Sequence, residues 1–170
     1  MNPRLTTLLA MIALCALYRV IPHPWNLSPV AAMALFAGAK FQSRTLAMLV
    51  PLAAMACSDL VLGLHPTLPF VYGALLLTAV LGFWVGKQGA AADAILFGSL
   101  AGSVLFFFIT NGAVWLVGDY YPAGWQGLNQ ALIAGLPFFQ NSLLGDLFFN
   151  ALLFGSFYAL ERYFPRAFAH

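Results

Sequence analysis

The sequence predicts an all-α, polytopic membrane protein: one domain over residues 1–170, built as a bundle of six transmembrane helices. Hydrophobic residues make up 62% of the chain and charged residues 7%, whereas soluble domains have about 45–50% and about 25%. Seven basic and five acidic side chains cannot cover the surface of a soluble globule of this size. Disorder is excluded because it requires low hydrophobicity and high charge. The third observation is the division of the chain into apolar segments.

Each segment is predicted from an apolar run and the breaks beside it, since a spanning helix needs about 20 mostly apolar residues. In the first segment, the apolar residues 8–17 are followed by Tyr18 and Arg19, not by the small residues of a signal-peptide cleavage site. We therefore interpret this segment as a retained helix. The second is short and starts at Ser28-Pro29, which is typical of a helix N-terminus. Ser43 precedes the third. The six segments are residues 5–20, 28–41, 44–63, 69–86, 94–118 and 137–164.

The later breaks are rich in Gly, Pro and polar residues, as in residues 65–67, 88–89 and 119–130. An amphipathic stub at residues 128–136 precedes the sixth segment. Three pairs of small residues lie four apart, a spacing that lets membrane helices approach closely. They predict packing inside the bundle, with a docking surface for another membrane protein as the alternative; the pairs are Ala34 and Gly38, Gly82 and Gly86, and Gly98 and Gly102.

The basic residues predict the orientation, because cytoplasmic flanks are enriched in Lys and Arg. With six crossings and the N-terminus inside, Arg19 is the only one on the outer side. The other six lie inside: Arg4, Lys40, Arg44, Lys87, Arg162 and Arg166. We therefore expect a multi-pass membrane protein with both termini in the cytoplasm.

Polar residues gather at the predicted outer side, which indicates a hydrogen-bonding outer mouth above a dry inner half. Asp59 and Asp146 lie inside predicted helices, where an ionisable side chain usually faces a cavity or a partner. Ser142, Asp146 and Asn150 form one polar stripe at helical spacing. Arg19 is expected to contact Asp59 or Asp146, either as a structural pair or as part of a binding site.

Two loops carry residues with alternative interpretations. His23 is followed by Pro24 and Trp25, which suits a binding lip, although an interfacial tryptophan anchor explains Trp25 equally well. His65 is interpreted as an exposed loop residue. The aromatic residues of the last outer loop are interpreted as a lid or as part of an aromatic belt; they are Tyr120, Tyr121 and Trp125.

Catalysis has little support, because the sequence contains no nucleophile elbow, metalloprotease, nucleotide or dinucleotide motif. The two cysteines, Cys15 and Cys57, lack metal-ligand spacing, and a net charge of +2 without a basic run does not suggest nucleic-acid binding. We expect no enzyme activity, no cofactor, no metal and no nucleic-acid partner.

Several motifs resemble an uncharacterised family of small bacterial inner-membrane proteins, and the resemblance covers most of the chain. They are residues 19–40, residues 58–65, residues 111–115 and residues 136–146. More distantly, the architecture resembles the substrate-binding S components of energy-coupling-factor (ECF) transporters. That resemblance implies six helices, a vitamin-sized site open to the outside, and as partners a membrane-embedded T component and cytoplasmic ATPases.

The predicted function is therefore capture of a small vitamin-like or cofactor-precursor solute from the outer face, for uptake with a separate ATP-driven partner. One alternative is a structural or assembly subunit without a ligand. Another is a membrane enzyme that uses Asp59, Asp146 and His23 as acid–base groups. The expected partners of this chain itself are the lipid bilayer and this solute. The predicted binding site is formed by Arg19, His23, Asn26, Asp59, Asn111, Trp115, Tyr120, Trp125, Asn141 and Asp146.

Overall fold

The computed structural model describes residues 2–24 and 26–168, and over these residues the regular structure is helical. The predicted all-α class is confirmed. Trp25, for which the sequence suggested a binding lip or an interfacial anchor, lies outside the described residues. The helices are α1 Pro3–Val20, α2 Val30–Lys40, α3 Arg44–Leu62, α4 Leu68–Lys87, α5 Ala92–Val117, α6 Trp125–Tyr163 and α7 Pro165–Phe168.

Five of the described helices are long and apolar enough to cross a membrane: α1, α3, α4, α5 and α6. Helix α2 has 11 residues and so a length of about 16 Å, against about 30 Å for the hydrocarbon layer. The structure therefore supports a multi-pass membrane protein. The count of six spans stays a prediction, because it depends on how α2 and its non-helical approach sit in the bilayer.

Helix α2 is the central helix of the bundle, and its residues 30–38 are all buried. Its closest neighbour is α4, which it meets through glycine. A Cβ atom on Gly82 would lie 2.8 Å from the Cα of Gly38 and would also collide with the carbonyl oxygen of Leu35. A Cβ on Gly86 would lie 2.8 Å from the carbonyl oxygen of Ala39. The two backbones can touch only because these positions carry no side chain.

The glycine pair of α5 is also internal. A Cβ on Gly98 would lie 2.7 Å from the side chain of Val85, and one on Gly102 would lie 3.2 Å from that of Thr78. Ala34, which shares a helix face with Gly38, is completely buried. The small residues thus pack helices of this chain together, as the first interpretation of the sequence expected.

Helix α6 differs from its prediction. The sequence suggested a stub at 128–136 and a separate segment from residue 137, but one helix of 39 residues, about 58 Å long, runs from Trp125 to Tyr163. The predicted break at Pro137 is wrong. A proline removes one backbone hydrogen bond, and neighbouring helices make that loss tolerable in membrane proteins.

The bundle has two chemically different ends. At one end, Arg4 Nη1 lies 2.8 Å from Glu161 Oε1, and Lys40 Nζ lies 3.6 Å from Glu161 Oε2. We call this the basic end. At the other end, Arg19 of α1 meets Asp59 of α3, and we call this the mouth end. Because α1 runs from Arg4 to Arg19 and α2 returns to Lys40, the two helices are antiparallel.

Helix α2 begins near the middle of the bundle. The backbone nitrogen of Ala32 lies 3.3 Å from Oδ1 of Asp146, and Asp146 precedes Glu161 by 15 residues of α6, about 22 Å along the helix. Residues 21–24 and 26–29 descend to this point without a helix. Above the first turn of α2, the centre of the bundle therefore has no helix to fill it.

Local residue choices fit this non-helical descent. Asn26 has a φ of 60°, a left-handed conformation that asparagine tolerates better than most residues. A Cβ on Gly145 of α6 would lie 3.3 Å from the backbone nitrogen of Ser28, so the glycine lets this non-helical segment pack directly on α6.

Candidate functional site: a polar mouth with two cavities

The charged cluster at the mouth end is built around Arg19, in the last turn of α1. Its Nη2 donates to Oδ1 of Asp59 over 2.9 Å, and its Nη1 donates to the hydroxyl of Ser58. Nη1 also lies 3.5 Å from the carbonyl oxygen of Met55. The hydroxyl of Tyr72 donates to Oδ2 of Asp59 over 2.8 Å. The expected contact between Arg19 and a helical aspartate is thus confirmed, with Asp59 as the partner.

This cluster is shielded from solvent. The side chain of Asp59 is 2% exposed and that of Arg19 is 12% exposed. Each carboxylate oxygen of Asp59 accepts one hydrogen bond, and its charge is neutralised by the guanidinium. Because Arg19 of α1 and Tyr72 of α4 both donate to Asp59 of α3, the cluster connects these three helices at the mouth end.

Asp146 occupies a different environment in the middle of α6. It is 4% exposed, and its Oδ2 accepts from the hydroxyl of Ser103 on α5 over 2.6 Å. Its Oδ1 accepts from the backbone N–H of Ala32, in the first turn of α2. The residue before that helix, Pro29, provides no side-chain cap. Asp146 therefore caps α2 from a neighbouring helix, where a negative charge also interacts favourably with the helix dipole.

Two adjoining cavities, which we call the mouth cavities, fill the space above α2. The first has a volume of about 310 Å³ and the second about 240 Å³. Both are lined by five of the same residues: Asn26, Val71, Phe106, Ser142 and Asp146. The first adds Arg19, His23, Ser28 and His65, and the second adds Ser103, Thr110, Asn111 and four phenylalanine or valine side chains. Asp146 is the acidic residue common to both.

The mouth cavities bring together half of the residues predicted for the site: Arg19, His23, Asn26, Asn111 and Asp146. Asp59 lies behind Arg19 and lines neither cavity. His65, interpreted from the sequence as an exposed loop residue, is exposed and also lines the first cavity.

The remaining predicted site residues lie outside both linings. Trp115 donates from Nε1 to the carbonyl oxygen of Pro122 over 3.1 Å, which fastens the loop after α5. Tyr120 is 83% exposed and Trp125 is 75% exposed. Tyr120 borders a separate cavity of about 440 Å³. Trp115, Tyr120, Trp125 and Asn141 thus line neither mouth cavity. The interpretation of the loop aromatics as a lid or as part of an aromatic belt stays a prediction.

Sequence reasoning missed the partners that hold the two acids. Tyr72 and Ser103 are common residues in apolar helices, and no local pattern marks them. Ser103 does lie four residues after Ser99, so both share one face of α5. The polar stripe of α6 could have been matched to that face.

A further cavity lies in the half of the bundle that the sequence predicted to be dry. It has a volume of about 610 Å³ and lies between α5 and α6 toward the basic end, with Lys40 and Glu161 at one edge. Asn150 lines it and donates from Nδ2 to the hydroxyl of Ser99 over 2.8 Å. Its Oδ1 is buried without a hydrogen-bond partner among the described residues. The sequence could not predict this opening, because its size depends on how α5 and α6 diverge.

The described part of the chain contains no cluster of three His, Cys, Asp or Glu residues that could hold a metal ion.

Comparison with protein families matches residues 1–167 to a family described as "Family of unknown function (DUF6580)". The chain belongs to this family. The match covers the mouth cavities, the capping aspartate and the basic end, so all of them lie within the DUF6580 region. No curated protein and no solved structure matches the chain. The expected membership in an uncharacterised family is confirmed, while the likeness to ECF S components stays a prediction.

Proposed function

We propose that this protein is a membrane-embedded binding subunit that captures a small solute in its mouth cavities from the outer face. The observation that carries the proposal is the pair of cavities of about 310 and 240 Å³. The first lies at the lower limit of the volume range of ligand pockets, about 300–1,000 Å³, and the two together fall within that range. They combine apolar walls with a few polar groups, which is the usual composition of such a pocket.

The orientation in this proposal follows from charge. The six basic residues other than Arg19 lie at or beyond the helix ends of the basic end, and cytoplasmic flanks are enriched in such residues. The mouth end then faces outward, with both termini inside and α2 with its non-helical approach completing a sixth crossing. In a bacterium this corresponds to the inner membrane.

Uptake would require a partner. The sequence has no nucleotide-binding motif, so this chain would not hydrolyse ATP. The distant resemblance to S components suggests a vitamin-like or cofactor-precursor solute, a T component and cytoplasmic ATPases. A structural or assembly subunit is the second candidate, and it is less favoured because such a protein has no need of an open mouth.

An enzyme is a weaker alternative. An acid–base mechanism would need two of Asp59, Asp146 and His23 at one cavity with reach to a common substrate. Asp59 is enclosed by Arg19 and Tyr72, which leaves Asp146 and His23. His23 Nδ1 must be the donor in its 2.6 Å hydrogen bond with the carbonyl oxygen of Ile21, because a carbonyl oxygen can only accept. This ring nitrogen therefore cannot serve as the base.

Extraction of the purified protein followed by mass spectrometry of the released small molecules tests the proposal. Ser142 lines both mouth cavities, so Ser142→Phe should fill them and abolish a co-purifying solute. Ser156 lies on the same helix and is exposed, so Ser156→Phe is the matched control and should retain the solute. If wild type and Ser142→Phe release the same molecules in the same amounts, the proposal is wrong.

A further inference from the structure

We infer that the solute held in the mouth cavities carries a cationic nitrogen, which binds to the carboxylate of Asp146. The inference rests on the proposed function and names the chemical class of its ligand. The sequence left two choices, because Arg19 suits an anion and Asp146 suits a cation. The contacts of these two side chains decide between them.

The positive charge of Arg19 is already committed. Its two terminal nitrogens donate to Asp59, Ser58 and the carbonyl oxygen of Met55. An anionic ligand would have to compete with a carboxylate 2.9 Å away that is buried with it. Removing that carboxylate from its only cation would leave a buried charge unpaired, which costs several kcal/mol.

Asp146 has no cation beside it. All seven Lys and Arg residues of the chain lie within the described residues, and their ion pairs involve Asp59 and Glu161 only. Asp146 accepts one hydrogen bond at each oxygen, from Ser103 and from Ala32. An ionised carboxylate has about four acceptor positions, so further positions remain for a ligand. Because Asp146 lines both cavities, a ligand in either one reaches it.

Three other polar side chains of the second mouth cavity also present acceptors. The hydroxyl protons of Thr110 and Ser142 go to the carbonyl oxygens of Phe106 and Phe138, over 2.8 and 3.2 Å. Asn111 donates from Nδ2 to a backbone carbonyl four residues earlier over 2.8 Å. Thr110 and Ser142 thus use their single hydroxyl donor inside their own helices and keep acceptor lone pairs, while Asn111 keeps its Oδ1 as an acceptor and one further N–H. Such a lining favours a ligand that donates hydrogen bonds, as an ammonium group does.

Aromatic side chains complete the match. The second cavity is lined by Phe106, Phe107, Phe138 and Phe139 in addition to Asp146. The faces of phenylalanine rings attract cations that lie within about 6 Å of the ring centroid. The same rings provide apolar surface for the body of the ligand. A compact aromatic or heterocyclic amine combines both features.

Three probes with one ring and different charge test the inference: benzylammonium, benzyl alcohol and benzoate. Binding to the purified protein in nanodiscs is measured by calorimetry. A hydrogen bond to a charged group contributes about 1.5–3 kcal/mol, so benzylammonium should bind about ten- to a hundredfold more tightly than benzyl alcohol. Benzoate should bind most weakly. This charge series needs no variant and therefore holds even if a substitution impairs folding.

Asp146→Asn should abolish the preference for benzylammonium while preserving the shape of the side chain. Asp119→Asn, in an exposed loop, is the matched control and should retain it. Tighter binding of benzoate, equal or absent binding of all three probes, or a cation preference that survives Asp146→Asn would overturn the inference. The proposed function itself falls only if co-purification of a solute is also unaffected by Ser142→Phe.

Discussion

The ion pair between Arg19 and Asp59 gives the sharpest prediction about what holds the mouth end together. Both side chains are almost enclosed, at 12% and 2% exposure, and their charged atoms lie 2.9 Å apart. Removing one member of a buried pair leaves the other uncompensated and costs about 3–5 kcal/mol. We therefore expect Arg19→Ala to lower the free energy of unfolding by that amount, and Asp59→Leu to do so to a similar extent.

A double variant distinguishes the stability contributed by the ion pair as a whole from the loss caused by leaving one of its two charges unpaired. Because a buried ion pair can be exchanged for apolar side chains at little net cost, Arg19→Met combined with Asp59→Leu should be less destabilised than either single variant. Unfolding by a denaturing detergent in mixed micelles measures all three. Arg166→Ala is the exposed control and should stay within about 0.5 kcal/mol of wild type. Losses in the double variant equal to the sum of the single losses would refute the reasoning.

Three more predictions concern packing, the basic end and the inner cavity. Gly82→Ala should destabilise by about 1–3 kcal/mol, because its Cβ would meet α2 backbone, whereas Gly73→Ala on the same helix has open space and should leave unfolding midpoints in mixed micelles unchanged or raised. Glu161→Ala should cost about 0–1 kcal/mol in the same assay, because its side chain is 29% exposed and partly exposed pairs contribute little. Asn150→Leu should change the free energy of unfolding by less than about 1 kcal/mol. The substitution removes an interhelical hydrogen bond, which contributes modestly in membranes, but it also removes a buried oxygen that has no partner among the described residues. A decrease in the free energy of unfolding of more than about 3 kcal/mol for Glu161→Ala or Asn150→Leu would contradict the argument for that residue. Equal unfolding midpoints of Gly82→Ala and Gly73→Ala would contradict the packing argument.

Much of the helical framework could be predicted from the sequence, because bilayer thickness and capping residues set helix length. The segment predicted at 44–63 is observed as Arg44–Leu62, with the side chain of Ser43 accepting from Leu46 N over 3.3 Å. The segment predicted at 69–86 is observed as Leu68–Lys87. Helix α6 was predicted less well because Pro137 is a strong stop signal in soluble helices and a weaker one between packed membrane helices.

The site could be predicted in part. The cost of an unpaired charge in lipid identified Asp59 and Asp146 as the candidate partners of Arg19 from sequence alone, and the structure selects Asp59. The capping of α2 by Asp146 could not be predicted, because it depends on the depth at which α2 begins. That depth depends on the path of residues 21–24 and 26–29, which is set by tertiary packing.

The central claim is that the mouth end contains a cavity open to the outside, and cysteine accessibility tests it most directly. In a variant with Cys15→Ser and Cys57→Ser, the single substitution Ser142→Cys would place one thiol in both mouth cavities. A membrane-impermeant thiol reagent should label it in intact cells, whereas Lys87→Cys at the opposite end should react only after the membrane is permeabilised. Protection of Ser142→Cys from the external reagent, or labelling of Lys87→Cys in intact cells, would contradict the account.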